Sequence, residues 1–378
     1  MEEDIMLKSF SVSNYKNFNH KVTLDFSNKR DYAFNEQCIS RGLLNKVIIF
    51  GKNASGKSNL GFAVFDIVHT LTDNKICPEL EEESNFLNAD SDKKEAEFAY
   101  EFVFDNMTVA YSYRKENPLS ITMEKLSIYG KTVFEYVKNK GFLTNELSLV
   151  AGENLNFDYF DDGNSVFRYI ANNTQQPEKS AVRRMMDFVK RMLWFRRLHD
   201  TRYIGLPRER ESITKFICER EYLADFEKFM KQIAGLRYHL EGDYDEVNNH
   251  WRILEVHDNK KLDFVSCASS GTGALYLFYY WIKHLDEVSF LWIDEFDAFY
   301  HFDLARNIIC YLRDFSTVQT VFTSHNTALL SNEILRPDCY FRLAEGELKS
   351  FPDATLRELR EGHNLEKMYR NGEFDHEN

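Results

Sequence analysis

The sequence contains no apolar run approaching the roughly 20 residues needed to cross a bilayer. Its opening, MEEDIMLKSF, has neither a basic n-region nor an apolar h-region. These absences predict no membrane partner and a cytoplasmic location. Cysteine is sparse and scattered: Cys38, Cys77, Cys218, Cys267, Cys310 and Cys339 form no CxxC pair and have no histidine at metal-ligand spacing. Reduced thiols are therefore expected, without a disulfide framework or a zinc site. Positive charge is also short, with 47 Lys plus Arg against 60 Asp plus Glu and a net charge of -13. Any attraction to phosphate backbones must then come from a local patch. No internal repeat or low-complexity segment is present.

What is present is a core. A chain of 378 residues that is 43% hydrophobic can bury a substantial interior, as one large domain with an insertion or as two smaller ones. From Met6 to Phe26 apolar and polar residues alternate around the turn-prone Ser13 to Asn17, which predicts a β-hairpin. Strand-like runs at 96–104, 108–114 and 120–129 predict an antiparallel lobe. From Pro177 to about Glu241 the period becomes helical, with Met186, Val189 and Leu193, then Phe226, Phe229 and Ile233, on one face. The final section reads as α/β: a strand near 251–256, a helix after Gly273, the buried strand 288–293 and another strand at 318–322. The expected divisions are 1–175, with the phosphate loop and antiparallel lobe; 176–245, a helical insertion; and 246–378, the second half of the α/β part.

The chemistry is concentrated where strands end. Lys46 to Phe50 is a short apolar strand running into Gly51-Lys52-Asn53-Ala54-Ser55-Gly56-Lys57-Ser58, followed by a helical pattern from Leu60 to Leu71. Strand, glycine loop and helix is the order in which backbone N–H groups surround a phosphate at a helix N-terminus. In this pattern Lys57 neutralises the β- and γ-phosphates of ATP and Ser58 ligates Mg²⁺. Phe290 to Ile293 ends in Asp294-Glu295, where Asp294 suits the Mg²⁺ shell and Glu295 suits the base that polarises an attacking water. Both acids fall at a strand's C-terminal end, where ligands of α/β sheets bind. The strand 318–322 ends in Thr323-Ser324-His325-Asn326, which places His325 beside the same sheet edge. Between them, Ala268 to Gly273 is a small-residue turn opening an apolar helix. Ser270, Gly271 and Thr272 suit an anion there, and an ordinary helix N-cap is the competing reading.

With these residues in place the chain resembles the ABC-type ATPases of the SMC, RecF and OLD group. Phe50 to Asn59 is similar to their Walker A, Asp294-Glu295 to their Walker B pair, Ser269 to Thr272 to the signature motif, 296–301 to the D-loop and His325 to the switch histidine. Ser9 to Phe18 resembles the group's N-terminal strand and loop. The resemblance implies a mixed-sheet P-loop head carrying an antiparallel lobe, with Gly51, Asn53, Ala54, Ser55, Gly56, Lys57, Ser58 and Asn59 around ATP. It also implies a homodimer or higher assembly in which the Ser270 turn of one copy completes the ATP site of the other. The ending, with Leu335-Arg336-Pro337-Asp338 and 364–372, resembles small ATPases of phage-defence systems of abortive-infection L, RloA and PARIS type. That likeness implies a separate effector, a nuclease or toxin, and a nucleic-acid or phage-protein trigger. Two departures stand out. No glutamine lies between Cys38 and Thr174, so the Mg²⁺-contacting glutamine of such heads has no counterpart there. The chain also leaves no room after His325 for the TOPRIM nuclease of OLD proteins.

From Arg183 to Arg210 nine basic residues (Arg183, Arg184, Lys190, Arg191, Arg196, Arg197, Arg202, Arg208, Arg210) face three acids, with Trp194 and Phe195 interleaved. Such a stretch fits a nucleic-acid or acidic-protein contact, or a helix face paired with surrounding carboxylates. The aromatic run 276–281 is expected in the core. Three functions follow: an ATP-hydrolysing head controlling an effector, a RecF-like DNA-binding repair ATPase, or a slow-turnover ATP-bound scaffold that senses by assembly.

Overall fold

The computed structural model describes residues 5–73, 84–158, 160–161, 163–197, 202–206, 212–297 and 302–375. Two seven-stranded sheets form its body. The first is wholly antiparallel, in the order 141–145, 131–137, 120–128, 107–117, 96–104, 5–13, 22–25. The expected hairpin is part of it, with Ser9 opposite Asp25 and Val12 opposite Val22. Alternation places one face of these strands inward, as Ala96, Phe98, Tyr100, Phe102 and Phe104 show.

The second sheet runs 202–205, 192–197, 290–293, 319–324, 46–50, 340–344, 347–350. Its five inner strands are mutually parallel, and each edge strand is antiparallel. Lys46 to Phe50 and Phe290 to Ile293 are buried at every position, as expected for parallel strands covered on both faces. Parallel pairing brings the C-terminal ends of 46–50, 290–293 and 319–324 to one edge. That alignment creates the site.

The helix Lys57–Leu71 lies between the two sheets and is buried along most of its length. The antiparallel sheet holds it through polar contacts: Tyr100 donates to Ala63 O at 3.0 Å, and Tyr113 to Asp66 Oδ2 at 2.7 Å. Lys115 pairs with the same oxygen at 2.8 Å, both side chains being almost fully buried. On the other side Trp194 packs so tightly against Gly61 that a Cβ there would stand 2.9 Å from its ring. Gln319 joins the sheets directly, accepting from Leu7 N at 3.0 Å and donating to Leu7 O at 2.9 Å.

The segment 176–245 is not the wholly helical insertion read from its periodicity. Helices occur at Ala181–Lys190, Ile213–Glu219 and Leu223–Ala234, but Met192–Arg197 is a strand parallel to Phe290–Ile293 and Arg202–Gly205 is its hairpin partner. A short apolar run such as Met192 to Phe195 fits a buried strand as well as a helix face, and the neighbouring strand decides. The strand expected near 251–256 is present at His250–Val256, in a separate three-stranded antiparallel sheet with 240–245 and 261–263. The aromatic run 276–281 is buried in the helix Ser270–Ile282, as expected. Five cysteines, Cys38, Cys218, Cys267, Cys310 and Cys339, are free thiols, and Cys77 and the acidic run 79–83 lie outside the described residues. Among the described residues no helix is long and apolar enough to cross a membrane.

Candidate functional site

The phosphate loop is shaped by backbone conformations that its residue types permit. Gly56 has φ 101°, and a Cβ there would lie 2.3 Å from the Asn17 side-chain nitrogen, so only glycine fits. Ala54 is also left-handed, with φ 63°. The loop delivers the chain to the N-terminus of Lys57–Leu71, whose first amides have no partner within the helix. Asn17, from the turn after the first strand, donates to Ser55 O at 3.3 Å and accepts from the Asn59 amide at 2.7 Å. Asn59 is therefore placed as a brace of the loop. Asn53 and Ala54 are exposed, and Ser55, Gly56 and Ser58 are half-buried.

Lys57 is buried and curls back onto the loop, its Nζ 2.9 Å from Gly51 O and 3.1 Å from Lys52 O. Burial lowers its pKa, and the negative charges of Glu295, Asp294 and Asp297 oppose that shift. Asp294, at the end of its strand, accepts from Ser58 Oγ at 2.6 Å and from Thr323 Oγ1 at 2.5 Å. Burial pushes its carboxyl up, and these two hydroxyls and Lys57 hold it down. Glu295 is exposed, with a left-handed φ of 43°, and its amide donates to Thr323 Oγ1 at 2.8 Å. His325 is exposed just beyond Ser324. The structure thus brings Lys57, Ser58, Asp294 and Glu295 together, and Thr323 links the two carboxylate positions. In the sequence Thr323 is only part of the strand end, and Asn17 only part of the N-terminal stretch.

The donor set fits Mg²⁺. A serine hydroxyl and an aspartate carboxylate are hard oxygen ligands, already adjacent, and the buried Asp294 carboxylate would gain from a nearby cation. Ser269 caps the helix Ser270–Ile282, its Oγ accepting from Thr272 N at 3.2 Å and lying 2.9 Å from Thr272 Oγ1. Ser269 and Ser270 are exposed and Gly271 is half-buried. Among the described residues none of the turn's hydrogen bonds reaches the phosphate loop.

The basic stretch is partly consumed by structure. Arg184 pairs with Asp105 at 3.0 Å, Arg183 lies 3.8 Å from Asp187, and Trp194 and Phe195 are buried in the central sheet. Arg208, Arg210 and residues 298–301 of the D-loop segment lie outside the described residues.

A phosphate loop and paired carboxylates at the ends of two parallel strands that flank the strand 319–324, with an antiparallel sheet packed across the phosphate-loop helix, give the head fold of ABC-type ATPases of the SMC and RecF kind. The chain belongs to the family described as "AAA domain, putative AbiEii toxin, Type IV TA system", whose model matches residues 46–331. No curated protein matches the sequence significantly. Solved structures similar to it include the SMC head domain from Thermotoga maritima, at 13% identity over 90% of this chain and 97% of that one, with a TM-score of 0.42. The SMC head with an extended coiled coil bound to the C-terminal domain of ScpA, derived from Pyrococcus furiosus, is 15% identical over 91% and 95%, with a TM-score of 0.43. An SMC head bound to the C-terminal winged-helix domain of ScpA is 14% identical over 91% and 96%, with a TM-score of 0.42.

Proposed function

We propose that this chain binds ATP with Mg²⁺ at Gly51 to Ser58 and hydrolyses it in a site completed by a second copy, and that this cycle controls a separate effector in bacterial anti-phage defence. The observation that carries the nucleotide reading is the 2.6 Å bond between Ser58 and Asp294, residues 236 positions apart. Two independent sequence motifs meet there in the relation that phosphoryl transfer requires.

Each residue has a definable task. The loop amides and the helix N-terminus face the phosphates. Lys57 exchanges the carbonyls of Gly51 and Lys52 for β- and γ-phosphate oxygens. Ser58 and Asp294 hold Mg²⁺, which supplies charge neutralisation at the phosphates when bound. Glu295, exposed and fixed through its amide to Thr323, orients the attacking water and accepts its proton. His325 bonds the γ-phosphate or that water. The Ser270 turn, none of whose hydrogen bonds among the described residues reaches its own phosphate loop, offers hydroxyls and helix-terminal amides to the nucleotide of a second copy. The family's description as a putative toxin of a toxin–antitoxin system supports the defence part of the reading.

Light scattering of Glu295→Gln tests the assembly. A mass that doubles or grows further with ATP and Mg²⁺, but not with ADP, is expected. A mass indifferent to nucleotide would refute the shared site and favour the slow-turnover scaffold. Lys57→Ala should abolish ATP binding with unchanged circular dichroism, and unchanged affinity would refute the site. Co-expression with the product of a neighbouring gene under phage challenge tests the effector; protection that survives Lys57→Ala would exclude ATP control.

A further inference from the structure

Among the described residues at this sheet edge, Asp297 is a buried acid that has no task in the proposed cycle. It is only 7% exposed, and its Oδ1 has no hydrogen-bond partner among the described residues. A buried carboxylate oxygen without a donor is costly, and such atoms are retained where a donor arrives or where function requires them. Burial pushes the Asp297 carboxyl up, and hydrogen bonding from the Ser324 hydroxyl and from its own amide holds it down. Ser324 is fully buried, and its Oγ also accepts from Asn326 N at 2.9 Å. Asp297, Ser324 and Asn326 therefore brace the turn on both sides of His325. The charged groups acting on Asp297 are those of the candidate site: His325, Glu295 and Lys57.

We propose that Asp297 is a positioning residue, fixing the His325 turn through Ser324 and receiving the His325 ring N–H on its unpartnered oxygen when nucleotide occupies the site. A carboxylate behind an imidazole selects one tautomer and one ring orientation, so the opposite ring nitrogen is presented to the γ-phosphate or the attacking water. This inference rests on the ATPase reading.

The experiment compares kcat, KM and ATP affinity of the full-length wild type with those of Asp297→Ala, Asp297→Asn, His325→Ala and the Asp297→Ala/His325→Ala double variant. Both Asp297 variants should lose about 10- to 100-fold in kcat, the usual cost of removing an outer-shell partner, with KM and ATP affinity little changed. The double variant should be no slower than His325→Ala alone, because Asp297 acts through His325. Wild-type turnover in Asp297→Asn, or losses that multiply in the double variant, would overturn the proposal. Asp297→Asn preserves shape and carries the test if Asp297→Ala fails to fold. Failure of the wild type to bind or turn over ATP would instead overturn the ATPase reading and this inference with it, and the wild-type measurement alone reveals that outcome.

Discussion

Replacing Asp66 with alanine tests how the antiparallel sheet holds the phosphate-loop helix. Asp66 Oδ2 accepts from Lys115 Nζ at 2.8 Å, Tyr113 Oη at 2.7 Å and Thr70 Oγ1 at 3.1 Å. Lys115 is 2% exposed and Asp66 1%, so neither charge can turn to water when its partner is removed. Breaking a buried pair from one side costs about 3–5 kcal/mol, because the remaining charge is stranded. Against a typical total of about 5–15 kcal/mol that is a large share of the fold's stability. The assay is urea unfolding followed by circular dichroism, with Asp66→Leu/Lys115→Met alongside. The double variant removes both charges and should recover much of the loss, because desolvation offsets most of the pair's attraction. The reasoning fails if Asp66→Ala unfolds within about 1 kcal/mol of wild type, the behaviour of an exposed pair, or if the double variant is less stable than the single.

Gly56→Ala introduces a Cβ 2.3 Å from Asn17 at a φ of 101°; strain of about 1–3 kcal/mol should weaken ATP binding roughly tenfold or more, and calorimetry showing equal affinity would mean the loop adapts freely. Thr323→Val removes the hydroxyl shared by Asp294 and the Glu295 amide; steady-state turnover should fall about tenfold or more, with ATP still bound. Lys46 is fully buried, with its Nζ on the carbonyls of Ser316 and Val318, and burial brings its pKa down to about 7. Between pH 7 and the ordinary lysine value the unfolded chain binds the additional proton, so this residue makes stability rise with pH across that window and penalises the fold fully below it. The thermal midpoint of wild type, measured relative to Lys46→Met, should therefore climb from pH 7 to 9, and a flat difference would contradict the burial argument.

Much of the site was legible because its motifs describe local backbone. Glycines at 51 and 56 with Lys57 and Ser58 after an apolar strand specify a phosphate loop, and an apolar strand ending in Asp294-Glu295 specifies a paired-acid edge. The hairpin at 5–25 and the buried helix 270–282 followed from alternation and apolar content. Met192–Arg197 reads as helix in the sequence because Met186, Val189 and Leu193 continue a helical stripe across the helix end at Lys190. Thr323 and Asn17 carry no local signal that separates them from ordinary strand-end and turn residues, and Asp297 is marked only by its place in the segment 296–301 that resembles the D-loop.

Sequence by itself determined the phosphate loop, the acidic strand end and the expectation of a nucleotide, because each depends on neighbours within a few residues. Tertiary structure alone decided that Ser58 meets Asp294, that Thr323 links Asp294 to Glu295, and that Asp66 on the loop's helix is gripped by Lys115. Those contacts depend on the order and register of parallel strands drawn from distant parts of the chain. Register is fixed by the burial of both sheet faces together, a property of the assembled core that no single segment contains.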